Sequence, residues 1–273
     1  MTNALTTRDL YHQITDRVVM ALEAGPPTFA MPRHHAVKNH NLMHGGYMRA
    51  KLSIEDSLAY LHQHGARVEY YPAFLSPIEA ERYKQGLLTS LEFNAEEESK
   101  VRRPFSREKI AIPRRQTAYG DPGTSYTFAG CVVPARPWMP LLCTLREVLR
   151  QRTGYEPNFV LVNYYRSGLD SIGWHADAER DLGNAPAILS LSLGAERDFQ
   201  FRHRSAFPQV GKPALRPALQ TVTIPLRSGS LLIMRDPTNK HWKHQLPRRG
   251  GKQAAEIGAR LNLTWRRIVV RRD

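Results

Sequence analysis

Cysteine is nearly missing from this 273-residue chain, which holds only Cys131 and Cys143. Two thiols argue against a disulfide framework, and an intracellular, reducing compartment is the simplest expectation. No run of about eighteen apolar residues occurs, and the N-terminal stretch lacks an apolar signal region. Neither a membrane span nor secretion is therefore expected. Low-complexity tracts and internal repeats are also lacking, which excludes repeat architectures. Acidic residues are in short supply: 25 Asp and Glu stand against 39 Lys and Arg, a formal charge of +14. That imbalance favours a polyanionic partner. The length suits one large domain, or a large and a small one.

What is present begins with His175 and Asp177, two residues apart in Ser171-Ile-Gly-Trp-His-Ala-Asp177. A His-x-Asp pair at the end of a strand grips one face of a metal ion. A later histidine, His244, would complete two histidines and one carboxylate. Such a facial triad leaves coordination positions open and is characteristic of non-haem Fe(II) oxygenases.

A second constellation gives that pair weight. In Arg260-Leu-Asn-Leu-Thr-Trp-Arg266, strand periodicity puts Arg260, Asn262, Thr264 and Arg266 on one face. If that face lines the inside of a barrel, its arginines are buried, at a cost that only an anion would offset. A guanidinium fork suits a carboxylate. In Asn158–Arg166, Asn163 and Tyr165 share a face in the same way. A small dicarboxylate held by Arg260, Arg266, Asn262, Asn163 and Tyr165 beside an iron describes 2-oxoglutarate.

With these blocks the chain resembles the AlkB family of Fe(II)/2-oxoglutarate-dependent nucleic-acid dealkylases, most closely its branch acting on alkylated DNA. The resemblance runs from about Val68 to Val270. It is carried by Pro113–Asp121, Tyr126–Gly130, Asn163–Glu179, Ala187–Ala195, Pro237–Pro247 and Arg260–Arg266. It implies Fe(II) and 2-oxoglutarate as cofactors and O2 as co-substrate. His175, Asp177 and His244 match the metal ligands; His241 lies three residues too early, because the family's ligand directly precedes Gln-Leu-Pro. Arg260, helped by Tyr165, matches the partner of the distal carboxylate, and Arg266, Asn262 and Asn163 match the group at its other end.

The same resemblance places Tyr126, Phe128 and Glu179 at a flipped base. There Phe128 and the His175 ring would sandwich it, while Tyr126 and Glu179 bond its edge. Glu179 would face the positive charge of a lesion such as 1-methyladenine or 3-methylcytosine, and Phe128 would add a cation–π contact. The block from Pro113 supplies Arg114, Gln116 and Tyr119 as further substrate contacts. Phe105, the one aromatic residue between Lys100 and Arg115, is the candidate wedge for the gap that a flipped base leaves. The neighbouring Arg102-Arg-Pro104 departs from the usual wedge hairpin. Seven basic residues between Lys100 and Arg115, together with Arg202, Arg204, Arg248, Arg249 and Lys252, suit phosphate contacts.

Residues 1–66 read as a small helical N-terminal extension, and 67–273 as the oxygenase domain. Leu10, Ile14, Val18 and Leu22 recur at helical spacing until Gly25-Pro26-Pro27. Asp9–Gly25 resembles the opening helix of the single-strand-DNA-binding domain of antirestriction proteins, which implies an accessory DNA-binding element. Seven of the eleven histidines fall in this extension; their irregular spacing suits a solvated face. A helix is expected from Ile54 to His64. Ser76-Pro-Ile-Glu79 reads as a capping box opening another, and a third runs from Trp138 to Gln151. Strands are expected over 158–166, 187–193, 197–203, 220–226, 230–235 and 260–269. Many short strands behind bracing helices predict a mostly β fold, a double-stranded β-helix or jelly roll.

The expected function is oxidative dealkylation of DNA bases, single- or double-stranded, with base flipping, by a monomer. Three alternatives stay open: the same chemistry on RNA, a zinc hydrolase, and a nucleic-acid-binding protein whose metal site is vestigial.

Overall fold

The computed structural model describes residues 52–95, 100–102, 109–128, 131–177, 182, 187–207 and 219–269. The expected helix within residues 1–25 lies outside them. The chain forms two compact units. In the first, the described element is a helix, Pro140–Thr153 (α3 in chain order), which buries one stripe of Leu141, Leu142, Leu145, Val148 and Leu149. Gly154, at φ +73°, ends it and donates its N–H to Arg150 O. That left-handed turn suits glycine at a helix terminus.

The second unit is the β structure. It opens with α1 (Ile54–Gln63), capped by Ser53, whose hydroxyl accepts the Asp56 N–H. The strand β1 (Arg67–Tyr71) follows. Then α2 (Pro77–Ser90) starts at the expected capping box: Ser76 accepts from Glu79 N, and the Glu79 carboxylate accepts from Ser76 N. Next come the short strands β2 (Lys100–Arg102) and β3 (Lys109–Ala111), then β4 (Arg115–Gly120), β5 (Ser125–Phe128) and β6 (Cys131–Pro134). After α3 the strands are β7 (Phe159–Tyr165), β8 (Ile172–His175), β9 (Ala187–Gly194), β10 (Arg197–His203), β11 (Val222–Leu226) and β12 (Leu231–Arg235). The short helix α4 (Thr238–His241) leads into β13 (Trp242–Leu246), and β14 (Arg260–Arg266) is last.

A six-stranded antiparallel sheet runs β1-β12-β9-β14-β7-β4, and a four-stranded one runs β11-β10-β13-β8. These two sheets make the expected jelly roll. Hairpins β2-β3 and β5-β6 stand outside them. Alternation explains the small sheet: Phe199 and Phe201 of β10 and Val222, Ile224 and Leu226 of β11 point inward, with the less buried Gln200, Thr223 and Pro225 between them. Each such aromatic or aliphatic side chain contributes about 1.5–3 kcal/mol when fully buried. In the large sheet β7 and β14 are buried on both faces. On the outer face Trp138 stacks on Trp265, with ring centroids 5.9 Å apart. Leu61 of α1 is fully buried in the same core cluster, with Ile54 and Leu58 against it, so residues 52–66 pack with the barrel.

Gly194 closes β9 at φ +101°, where a Cβ would come within 2.3 Å of Ala259 O. Only glycine lets the chain pass so close to the start of β14. No helix among the described residues is long and apolar enough to cross a membrane. The strand β13 was not among the runs expected from the sequence. Its alternation, Trp242, His244 and Leu246 inward, is masked by three polar or basic residues in five.

Candidate metal and co-substrate site

The two sheets bring together residues far apart in sequence. His175 ends β8 and His244 lies in the middle of β13; the two strands pair antiparallel with these histidines directly opposite each other. Directly opposed residues share one face of a sheet, here the inner one. Asp177 lies two residues beyond β8, where it is 4% exposed. His175 Nε2 is 3.8 Å from Asp177 Oδ1, and His244 Nε2 is 4.0 Å from Asp177 Oδ2. Ligand atoms of all three lie within 4.8 Å of one another, the spacing of a shared ion.

The protonation states fit a cation. Burial pushes His244 down to about 3, with the neighbouring His175 and Arg266 acting in the same direction and Asp177 opposing. Enclosure lowers His175 too, although 32% of its side chain stays accessible. Both rings are neutral near pH 7 and can offer a lone pair. Gly173 O accepts from His175 Nδ1 at 2.9 Å, which fixes the tautomer with Nε2 free to ligate. Burial alone would raise the Asp177 carboxyl, but the Arg266 guanidinium and the two histidines hold it well below the usual range. Arg266 Nη2 donates to Asp177 Oδ2 at 3.0 Å, and Tyr126 Oη donates to Oδ1 at 3.3 Å.

A cavity of about 520 Å³ opens over this triad. Its far wall is the inner face of β14 and β7, in register: Arg260 faces Tyr165, and Asn262 faces Asn163. Arg260 is 1% exposed. Its Nη2 donates to Ser192 Oγ at 2.9 Å, its guanidinium lies 5.3 Å from the Tyr165 ring centre, and Nε and Nη1 have no hydrogen-bond partner among the described residues. Burial lowers its pKa to about 10, so it stays charged. A buried cation with two open donors, facing a cavity, fits a carboxylate. Asn262 Nδ2 donates to Ser190 Oγ and Leu191 O.

The other expected site residues fall in several places. Tyr126, expected at a base edge, is 2% exposed, lines the cavity and holds Asp177. Arg114 also lines the cavity. Gln116 lies across from Asn163 on the inner face, fully buried, with neither amide atom bonded among the described residues. Tyr119 points to the outer face of β4, opposite Val160, and its hydroxyl accepts from Glu92 N. The cavity does not reach it.

Arg202 faces outward from β10, directly opposite Lys243 of β13. Both cations sit over the Phe207 ring, at 5.2 and 4.5 Å, and Phe207 meets the cavity-lining Trp174 edge-on at 5.7 Å. Arg248 is exposed, whereas Arg249 is tied to Asp198 at 3.0 Å. Phe128 ends β5. Phe105 and Glu179 lie outside the described residues.

Sequence reasoning missed Arg197. At the start of β10 and 1% exposed, it donates to Ser167 O at 3.0 Å, Asp170 O at 2.9 Å and Pro247 O at 2.8 Å, with Gly168 O at 3.5 Å. It thereby clasps the loop that leads into β8 to the turn that leaves β13. In sequence it reads as one arginine in the polar turn Ala195-Glu-Arg-Asp198, with no signal to mark it.

Two histidines and one carboxylate, spaced to share an ion, thus open onto one cavity with a buried guanidinium. The chain belongs to the 2OG-Fe(II) oxygenase superfamily, whose family model matches residues 67–266. It is 44% identical over 160 residues to "DNA oxidative demethylase ALKBH2" of Homo sapiens, covering 59% of this chain and 58% of that one. It is 34% identical over 206 residues to "Alpha-ketoglutarate-dependent dioxygenase alkB homolog 3" of Rattus norvegicus, covering 74% and 64%. The chain thus spans less than two thirds of these relatives' length. The AlkB-type resemblance carried by the motifs is borne out. A solved structure, "The structure of OsALKBH1", superposes with a TM-score of 0.47 at 19% identity, covering 73% of this chain and 97% of that one.

Proposed function

We propose that this chain is an Fe(II)/2-oxoglutarate-dependent dioxygenase that removes N-alkyl groups from bases in DNA. One observation carries the reading: the His175–Asp177–His244 triad shares a cavity with Arg260, a buried guanidinium with two nitrogens unpartnered among the described residues. A zinc hydrolase has no use for that cation. The names borne by the relatives supply the substrate class.

His175, Asp177 and His244 would hold Fe(II), with Arg266 and Tyr126 fixing the carboxylate that binds it. Arg260 and Tyr165 would take the distal carboxylate of 2-oxoglutarate, with Asn163 and Asn262 near its other end. When bound, this pair would activate O2, and the overall reaction turns an N-methyl group, 2-oxoglutarate and O2 into N–H, formaldehyde, succinate and CO2. The protein's own contribution is to orient the acid, exclude water and present the base. A stacked base cannot reach the cavity, so the nucleotide must be flipped out, at a cost of a few kcal/mol.

Nucleic acid is further supported by Arg202 and Lys243. Like charges directly opposite on neighbouring strands are unfavourable, yet among the described residues no carboxylate joins them. Phosphates beside the cavity mouth would relieve that repulsion. The accessory DNA-binding role of the N-terminal extension and the monomeric state belong to the same proposal.

The test is formaldehyde release and restored base from matched single- and double-stranded oligonucleotides carrying one 3-methylcytosine. Fe(II), ascorbate and 2-oxoglutarate are supplied, and His175→Ala runs alongside. Turnover that needs 2-oxoglutarate and vanishes in the variant is the expected result. Turnover on a methylated RNA strand but on neither DNA would move the substrate to RNA.

A further inference from the structure

We propose that Arg114 is a positioning residue for the acid co-substrate, acting through Asn163, rather than a nucleic-acid contact; this rests on the dioxygenase reading above. Arg114 is 6% exposed at the head of β4 and lines the same cavity as the metal triad. Its Nε donates to Asn163 Oδ1 at 2.8 Å, and its Nη1 donates to Ser171 O at 3.3 Å. Ser171 N in turn donates to Pro113 O at 3.0 Å. The segment leading into β8 and His175 is therefore stitched twice to residues 113 and 114.

The chemistry of the pair fixes an orientation. An arginine Nε can only donate, so the Asn163 atom that meets it must be the oxygen. The Asn163 amide nitrogen is then turned elsewhere, and among the described residues it has no acceptor. Asn163 is 5% exposed and lines the cavity. A donor edge held in that orientation calls for an acceptor oxygen from a ligand, such as a carboxylate or keto group. Without Arg114 the amide could flip and present its own oxygen instead.

Charge separates the two candidate ligands. Bases alkylated at a pairing nitrogen, such as 1-methyladenine and 3-methylcytosine, are cations. Burial lowers the Arg114 pKa, but a guanidinium does not lose its proton in a protein. In a low-dielectric cavity a fixed cation attracts the oxo-acid and repels a cationic base. Arg114 thus belongs to the anion's side of the cavity.

The experiment measures 2-oxoglutarate binding to the Mn(II)-loaded full chain by titration calorimetry, without turnover. Binding of a 3-methylcytosine single strand is measured on the same samples by fluorescence anisotropy. Losing a charge-assisted hydrogen bond predicts that Arg114→Met weakens 2-oxoglutarate about ten- to a hundredfold and leaves oligonucleotide binding unchanged. Because the effect passes through Asn163, Arg114→Met combined with Asn163→Ala should be no worse than Asn163→Ala alone.

Weakened oligonucleotide binding with unchanged 2-oxoglutarate affinity would overturn the proposal, and so would additive losses in the double variant. Should Arg114→Met fail to fold, Arg114→Lys carries the same comparison, because it keeps the cation but has no Nε to hold Asn163. Unchanged 2-oxoglutarate affinity there overturns the proposal. A wild-type chain that binds metal but no 2-oxoglutarate would sink the dioxygenase reading itself, whatever Arg114 does.

Discussion

Replacing Arg197 by methionine tests whether one buried arginine holds the metal site together. Its guanidinium meets no carboxylate within hydrogen-bonding distance among the described residues; backbone carbonyls solvate its charge. Three of those contacts, to Ser167, Asp170 and Pro247, lie between 2.8 and 3.0 Å, and the fourth, to Gly168 at 3.5 Å, is marginal. Two effects oppose each other in the variant. Removing the cation relieves its own burial cost, which for some buried charges makes an apolar replacement neutral. It also strands three carbonyls of loops that must stay where they are, each worth roughly 1–2 kcal/mol.

The second effect should win, because methionine matches the stem of arginine but leaves the fork's volume empty. The expected loss is about 3–5 kcal/mol, read as a lower urea midpoint of the metal-free protein. The loop that carries Ser167 and Asp170 leads to His175, and Pro247 lies three residues beyond His244. Fe(II) affinity should therefore fall as well, measured by competition with a colorimetric chelator. Stability within about 1 kcal/mol of wild type, with unchanged metal affinity, would refute this account.

Gln116→Leu should be neutral or stabilise by about 1 kcal/mol, since both amide atoms of this buried residue lack partners among the described residues; clear destabilisation in a urea titration would mean that the amide is bonded to bound water. For pH the sign follows from His244, whose pKa falls from 6.5 to about 3 in the folded chain. Below 6.5 the unfolded state binds more protons, so stability present above that value is lost as pH falls towards about 3. Urea midpoints of metal-free wild type should therefore drop in mild acid, while those of His244→Gln stay flatter; equal slopes would remove His244 from the explanation.

Much of the site is legible in the amino-acid order because local rules govern it. A His-x-Asp step places its two ligands on one side of a strand end, and period-2 alternation puts Arg260, Asn262, Thr264 and Arg266 on one face of any strand they form. The capping box at Ser76 fixed the start of α2 for the same local reason. Strand β13 was illegible, because Lys243 and Gln245 face outward and leave too short an apolar pattern to read.

Contacts across the chain decided the rest. Tyr126 of the β5-β6 hairpin holds Asp177, whereas the register of β4 against β7 turns Tyr119, seven residues earlier, to the outer face of the large sheet, so pairing and not residue type sets where each side chain points. Arg114 and Arg202 look alike in a chain with 39 basic residues. One is buried on Asn163 and the other faces outward over Phe207. The sequence alone determined which groups are available to bind metal and acid, since that is a matter of residue chemistry and strand period. Only the tertiary structure decided which buried cations face the cavity and which brace its loops, since a guanidinium's role depends on acceptors that the fold brings from distant segments.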